Sequence, residues 1–294
     1  SASSAPAAAW GATPSRRGGS KKSGWDAAKV TTMIKMDLGD LGDGNLKYEG
    51  LVTNLQATVK EAAGSAITVQ ATAAVLVIEH VVTKCFGAND TAKGKKAGAL
   101  TEILARLHKD GHVGTGPMEH GVNMVSKKMD GISEDAPLAK GTFSALVGSL
   151  FEAGCVGFAG YLCARVRNGS SVDTLIAATT AGPEAAAAFK SDGAKIACDV
   201  TSCVVDRIAA QTGSCEDAEP DARTLAHEEE VVGDFTRLLM NVIHRCPAET
   251  QRKAQEQCLV GAQAVCLRLK CPAAAPRFFK LFYAKDMFPD AKVV

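Results

Sequence analysis

The chain is short of aromatic side chains, 5% of its 294 residues, and carries almost no excess of either charge, with 33 basic against 32 acidic residues. The first shortage disfavours an all-β fold, whose strands draw on aromatic and β-branched residues. Charge balance excludes a protein that grips nucleic acid over its whole surface, so any RNA contact has to be local. Cys-x-x-Cys pairs are absent, as are histidine pairs at metal-ligand spacing, and a zinc site is therefore not expected. No Gly-rich phosphate loop and no Gly-x-Ser-x-Gly elbow occurs. His108 and His112 stand four apart, but Gly111 interrupts the helix that would align them. Nothing assembles a catalytic constellation, so the expectation is a binding protein: not an enzyme, with no cofactor and no metal.

What is present is apolar and helical. Hydrophobic residues make up 46% of the chain and charged residues 22%, as in globular proteins. Ten cysteines lie scattered through apolar helical patterns. In a chain of this size they read as reduced, core-packed side chains of an intracellular protein. Thr142 to Val166 is apolar except for Glu152 and Arg165, and Gly154 interrupts it. A charge near the middle of a membrane span is costly, so this stretch is expected to be two helices with no membrane partner.

Residues 1–44 are expected to be a flexible basic linker. Its first 24 residues are rich in Ala, Ser, Gly and Pro, carry Arg16, Arg17, Lys21 and Lys22, and contain no acid. A second reading makes this segment an RNA-touching tail, with Trp10 and Trp25 available to stack on bases. From residue 45 the pattern is helix, turn, helix, repeatedly. Leu51, Val52, Leu55 and Val59 mark one face of the first helix, and residues 66–86 form a long apolar second one. Gly87–Gly98 reads as a lysine-rich loop whose Lys93, Lys95 and Lys96 suit phosphate contacts. Helices are expected near 99–109, 117–129, 138–152, 156–167, 184–211, 226–245, 249–269 and 273–283. The Asn168–Ser171 stretch is the expected joint between regions 45–168 and 169–294. Glu228, Glu229 and Glu230 read as a solvated helix start. No alternation of period two appears. The fold expected is all-α, built of HEAT-like antiparallel helix pairs, an α-solenoid.

One stretch carries more than a fold. Leu104-Ala-Arg-Leu107 leads into Gly111-His-Val113, then Gly121-Val122, then Met129-Asp-Gly-Ile-Ser-Glu-Asp-Ala-Pro137, and finally Leu150-Phe-Glu-Ala-Gly154-Cys-Val156. In this register the region resembles the MA3 domain, the helical-repeat domain of the C-terminal part of translation initiation factor 4G and of programmed cell death protein 4. Gly131 stands where the pattern has an acid, with Asp130 beside it. Glycine at a helix end adopts the left-handed conformation without a Cβ penalty, and the apolar residue after it folds back onto the core. Pro137 fits the first turn of the next helix, where its missing N–H is harmless. Asp135 either caps that helix or projects from the loop.

Nearer the C-terminus, Gly261-Ala-Gln-Ala264, Pro272, Arg277-Phe-Phe279, Tyr283 and Asp286-Met-Phe288 look like the C-terminal HEAT domain shared by initiation factors 4G, 5 and 2B-epsilon. The order of the two resemblances is that of factor 4G. Together they imply a non-enzymatic scaffold of translation initiation. The MA3-like region would dock a DEAD-box RNA helicase of the initiation factor 4A type through Asp130, Glu134 and Asp135. The second region would engage other initiation factors or a kinase. The alternative is an RNA-tethering or other protein-interaction solenoid that uses the basic tail.

Overall fold

The structure is a computed structural model that describes residues 47–61, 66–85, 92–213, 215 and 220–288, together with 31, 32, 35, 36 and 39. Among the described residues, twelve helices run through 48–284 and no strand occurs. They are α1 (Tyr48–Glu61), α2 (Ala66–Lys84), α3 (Ala92–Lys109), α4 (Thr115–Ser126), α5 (Met129–Asp135) and α6 (Ala139–Glu152). There follow α7 (Phe158–Arg167), α8 (Val172–Thr179), α9 (Gly182–Thr212), α10 (Ala222–Arg245), α11 (Ala248–Arg268) and α12 (Ala274–Ala284). The fold is all-α and solenoid-like, as the periodicity predicts.

Helices stack in two rows. One row runs α2, α4, α7, α9, α11, each packed on the next. Beside it α3 packs on α6, and α8 on α10, which in turn meets α12. Buried apolar side chains fall into two clusters, one from Leu51 to Val156 with Ala164, the other from Phe158 to Phe288. Helix α7 serves both: Phe158, Leu162, Cys163 and Val166 belong to the second cluster, while Ala164 belongs to the first. Of the ten cysteines, seven are buried and three half-buried, all as free thiols. Helix α2 is long and apolar enough to cross a membrane by length and composition alone. It packs against α1, α3, α4 and α6, and its Val69, Val77, Ile78, Val81 and Val82 are buried.

Helix ends follow a repeated device. Gly111 (φ 78°) and Gly154 (φ 72°) are left-handed, the amides of His112 and Cys155 reach back to the carbonyls of Leu107 and Leu150, and Val113 and Val156 are buried beneath the turns. Two other helices close in the same way without glycine: Lys270 (φ 60°) and Asp286 (φ 57°) take the left-handed position, and the amides of Cys271 and Met287 return to Cys266 and Phe282. Side-chain caps include Ser171, which accepts from the Thr174 amide, and Asp221, which accepts from the Thr224 amide at 2.7 Å. The bonds to Asp221 hold its carboxyl below the usual range.

Several expectations are corrected. Helix α3 starts at Ala92, so Lys93, Lys95 and Lys96 lie at the start of a helix and not in a loop. Alanine and lysine propagate a helix well enough to carry Gly94 and Gly98, each of which costs about 1 kcal/mol. The expected helix over 117–129 ends at Ser126, and Met129 opens a separate helix, α5. Helix α8 occupies a stretch where no element is expected. The helix expected near 184–211 is present as α9, with a kink at Asp192 (φ −131°, ψ 20°). Glu228 is 1% exposed instead of solvated, although Glu229 and Glu230 are exposed. Helix α10 begins four residues earlier than expected, at Ala222, and Glu228 shares its inward face with Val232 and Phe235. Arg277 of α12 meets it there, with Nε donating to Oε1 at 3.5 Å and Nη2 to Oε2 at 3.3 Å.

Urea unfolding of four variants checks this packing. A Cβ added at Gly261 would lie 2.5 Å from the Cys198 carbonyl oxygen across the α9–α11 contact, whereas one added at Gly148 meets nothing within 4 Å. Urea unfolding of Gly261→Ala is expected to show a loss of about 1–2 kcal/mol. Gly148→Ala is expected to show a gain of about 0.5–1 kcal/mol. Arg277→Ala strands the buried Glu228 carboxylate and is expected to cost about 3–5 kcal/mol. Glu228→Gln is expected to cost less in the same assay, because Arg277 is 24% exposed and keeps its access to water.

Candidate functional site

The seven residues of α5 form a short acidic tip between α4 and α6. An apolar face pins it: Met129 is fully buried, Ile132 packs on the first core cluster, and Ala136, just past the helix, is 6% exposed. Those positions fall at i, i+3 and i+7, one side of a helix. Asp130, Gly131, Glu134 and Asp135 are exposed on the remaining surface. The Ser133 hydroxyl donates to the Asp130 carbonyl at 2.7 Å, and the Ala136 amide to the Ile132 carbonyl at 3.0 Å, closing the turn. Pro137 lies two residues ahead of α6 instead of within its first turn. The N-cap of α6 is Leu138, with no side-chain capping bond, so Asp135 does not cap that helix.

Asp130 pairs with Lys140 at 2.7 Å, and its own side chain is 81% exposed. An exposed pair of this kind contributes at most about 1 kcal/mol. Among the described residues Glu134 and Asp135 form no ion pair or side-chain hydrogen bond. Beside them Leu138 presents an apolar side chain that is 57% exposed. The three acids are thus gathered on one short element, next to an apolar contact that sequence reasoning missed. Its signal is slight: a single Leu between Pro137 and the start of α6.

The tip is held to the body through α6 and α7. Asn168 donates from Nδ2 to the Lys140 carbonyl at 2.8 Å and to Ser144 Oγ at 2.7 Å. Arg207 of α9 donates to the carbonyls of Val166 at 3.1 Å and Ser170 at 3.0 Å, and its guanidinium lies 5.0 Å from the Phe235 ring centre. Burial pushes the Arg207 pKa down, and the charge of Asp130 opposes that shift.

The basic residues picked from the sequence do not come together. Arg16, Arg17, Lys21 and Lys22 lie outside the described residues, as do Trp10 and Trp25. Lys93 and Lys95 are exposed and Lys96 is half-buried, with its charge near His80, whose pKa burial lowers. His108 Nδ1 lies 3.0 Å from the Val113 carbonyl, and His112 Nδ1 lies 3.5 Å from Gln56 Nε2, so the two rings serve separate contacts. Among the described residues no group of three or more His, Cys, Asp or Glu side chains is arranged to hold a metal ion.

Several depressions mark the stack, among them two that gather charged side chains. A cleft of about 380 Å³ between α4, α7 and α9 is lined by Glu119, His120, Cys163, Arg167, Asp199 and Cys203, among others. A groove of about 670 Å³ beside α8 and α10 is lined by Asp173, Arg207, His227, Asp234 and Arg237, with Arg237 and Asp173 paired at 3.0 Å. Both mix charges of either sign. No protein-family model matches the chain, and no curated protein matches it in sequence.

Proposed function

We propose that the chain is a non-enzymatic scaffold of cytoplasmic translation initiation, which docks a DEAD-box RNA helicase of the initiation factor 4A type through the α5–α6 tip. One observation carries the reading: Asp130, Glu134 and Asp135 stand exposed together on a seven-residue helix. That helix lies where the MA3-like pattern puts its acidic turn. A basic partner surface gains a charge-assisted hydrogen bond from each carboxylate it desolvates, worth about 1.5–3 kcal/mol. Leu138 adds an apolar contact at the edge. Two such pairs change affinity by more than a hundredfold, the difference between a micromolar complex and none that is measurable. The second region, by its likeness to the C-terminal HEAT domain, serves other initiation factors or a kinase.

The test is the double variant Asp130→Lys with Asp135→Lys, titrated against the helicase by calorimetry beside a circular-dichroism melt. Both positions are exposed, so stability is expected to stay within about 0.5 kcal/mol of the parent. Affinity is expected to fall at least a hundredfold. An unchanged affinity in a folded variant would eliminate the contact.

A second reading, RNA tethering, draws on Lys93 and Lys95, exposed at the start of α3. Exposed lysines in that turn suit contacts to phosphate groups, which carry much of the affinity for nucleic acid. If these lysines and the basic tail bind phosphates together, the affinity for single-stranded RNA falls steeply with salt. The slope of log K against log salt then flattens by about 0.7 for each phosphate that a substitution leaves without its lysine. A slope indifferent to Lys93→Ala and Lys95→Ala would remove α3 from that reading.

A further inference from the structure

Charged side chains of both signs line the cleft of about 380 Å³ between α4, α7 and α9 without pairing across it. Arg167 of α7 reaches it with a half-buried guanidinium. Nη1 donates to Asn123 Oδ1 at 2.6 Å, which fixes the group against α4, while Nε is buried and has no hydrogen-bond partner. A buried charged donor in that state is completed by an acceptor from outside the chain, water or ligand. Asp199 of α9 lines the same cleft and is half-buried. Among the described residues it takes part in no ion pair and no side-chain hydrogen bond. Lys195, one helical turn earlier, also lines the cleft and is exposed and unpaired. Glu119, the other carboxylate there, is engaged: its Oε1 accepts from the Gly157 amide at 3.0 Å. Two neighbouring helices thus bring a fixed guanidinium short of an acceptor and a carboxylate short of a donor to one cleft.

We propose that this cleft binds a small zwitterion of the amino-acid class, whose carboxylate meets Arg167 and whose ammonium group meets Asp199. An anion alone would satisfy the guanidinium but stand beside the Asp199 charge. A cation alone would face both Arg167 and Lys195. A solute that carries both charges avoids each repulsion. Arginine suits the carboxylate end, because its planar N–H groups match two oxygens. Between the charged ends, Ala159, Gly160 and Ala164 offer apolar surface to a short methylene chain. The volume falls within the range of small-molecule clefts, about 300–1,000 Å³. Helix α4 belongs to the first core cluster and α9 to the second, so an occupant ties the two together beside α7. The site is separate from the acidic tip and independent of helicase docking.

The probe is γ-aminobutyrate, with butyrate and butylammonium as carriers of one charge each, and glycine and ε-aminocaproate as a shorter and a longer zwitterion. Each is titrated into the isotope-labelled full chain and followed by amide chemical shifts. At least one zwitterion is expected to bind at least tenfold more tightly than butyrate or butylammonium, with its shifts gathered on α4, α7 and α9. Asp199→Asn breaks no side-chain bond of the fold and is expected to bring that zwitterion and butyrate within about twofold of each other. Gly116→Leu fills the cleft from the first turn of α4, where an added Cβ meets nothing within 4 Å. Leucine also favours a helix over glycine, so this variant is expected to weaken every probe at least tenfold without lowering the melting temperature. Butyrate binding as tightly as the zwitterions would overturn the proposal, leaving a plain anion site. So would a zwitterion preference that survives Asp199→Asn, or the absence of shifts on these helices from any probe at about 10 mM.

Discussion

The stack depends on helix faces that come closer than side chains ordinarily allow. A Cβ at Gly121 would lie 2.9 Å from the Ala74 Cβ, one at Gly193 would lie 2.6 Å from the Cys246 sulfur, and one at Gly261 would run into the Cys198 carbonyl. Each glycine is buried in a helix, where it forfeits about 1 kcal/mol of intrinsic helix stability. Close-packed contact across α2–α4 and α9–α11 offsets that loss, because dispersion falls off within a fraction of an ångström. Two of these three contacts lie along the row α2, α4, α7, α9, α11. The acidic tip and the cleft between α4, α7 and α9 are both fixed relative to that row.

How much of this is legible in the sequence depends on the strength of each local signal. The apolar runs of α2 and α6, the one-sided period of α10, and the Gly111 and Gly154 turns stand out because helix period and left-handed glycine are local properties. The eight residues of α8 carry too little periodicity to do so. Lys270 and Asp286 give no warning that they end helices in the conformation usually left to glycine. The tip reads as acidic but also as a loop; only contact of Met129, Ile132 and Ala136 with the body makes those residues helical. Gly121 is visible as a motif residue, yet its role stays hidden in the sequence, since that role is close approach to α2 and not a turn.

Glu228 shows why charge runs mislead. Three consecutive acids read as solvated, but successive residues on a helix point about 100° apart, so a run of three spans about 200° and need not share one environment. Here the inward face marked by Val232 and Phe235, four and seven residues on, takes in Glu228. The structure supplies it with Arg277, from the Arg277-Phe-Phe279 stretch forty-nine residues later. A buried carboxylate is tolerable only beside such a partner. The ion pair therefore adds less to stability than to the register in which α12 closes on α10.

A similar argument bears on net charge. A balance of +1 describes the sum, not the surface. At physiological ionic strength, fields between exposed groups fade over about 8 Å, so a partner meets each patch nearly alone. The α5 tip presents three carboxylates with Lys140 as the near cation, while the first turn of α3 holds lysine and no acid of its own. Neutrality of the whole thus excludes a nonspecific polyelectrolyte and leaves two local surfaces of opposite sign on one stack. The sign of each surface is then fixed by which face of its helix is buried, and the same apolar contacts that build the core decide which charges a partner can reach.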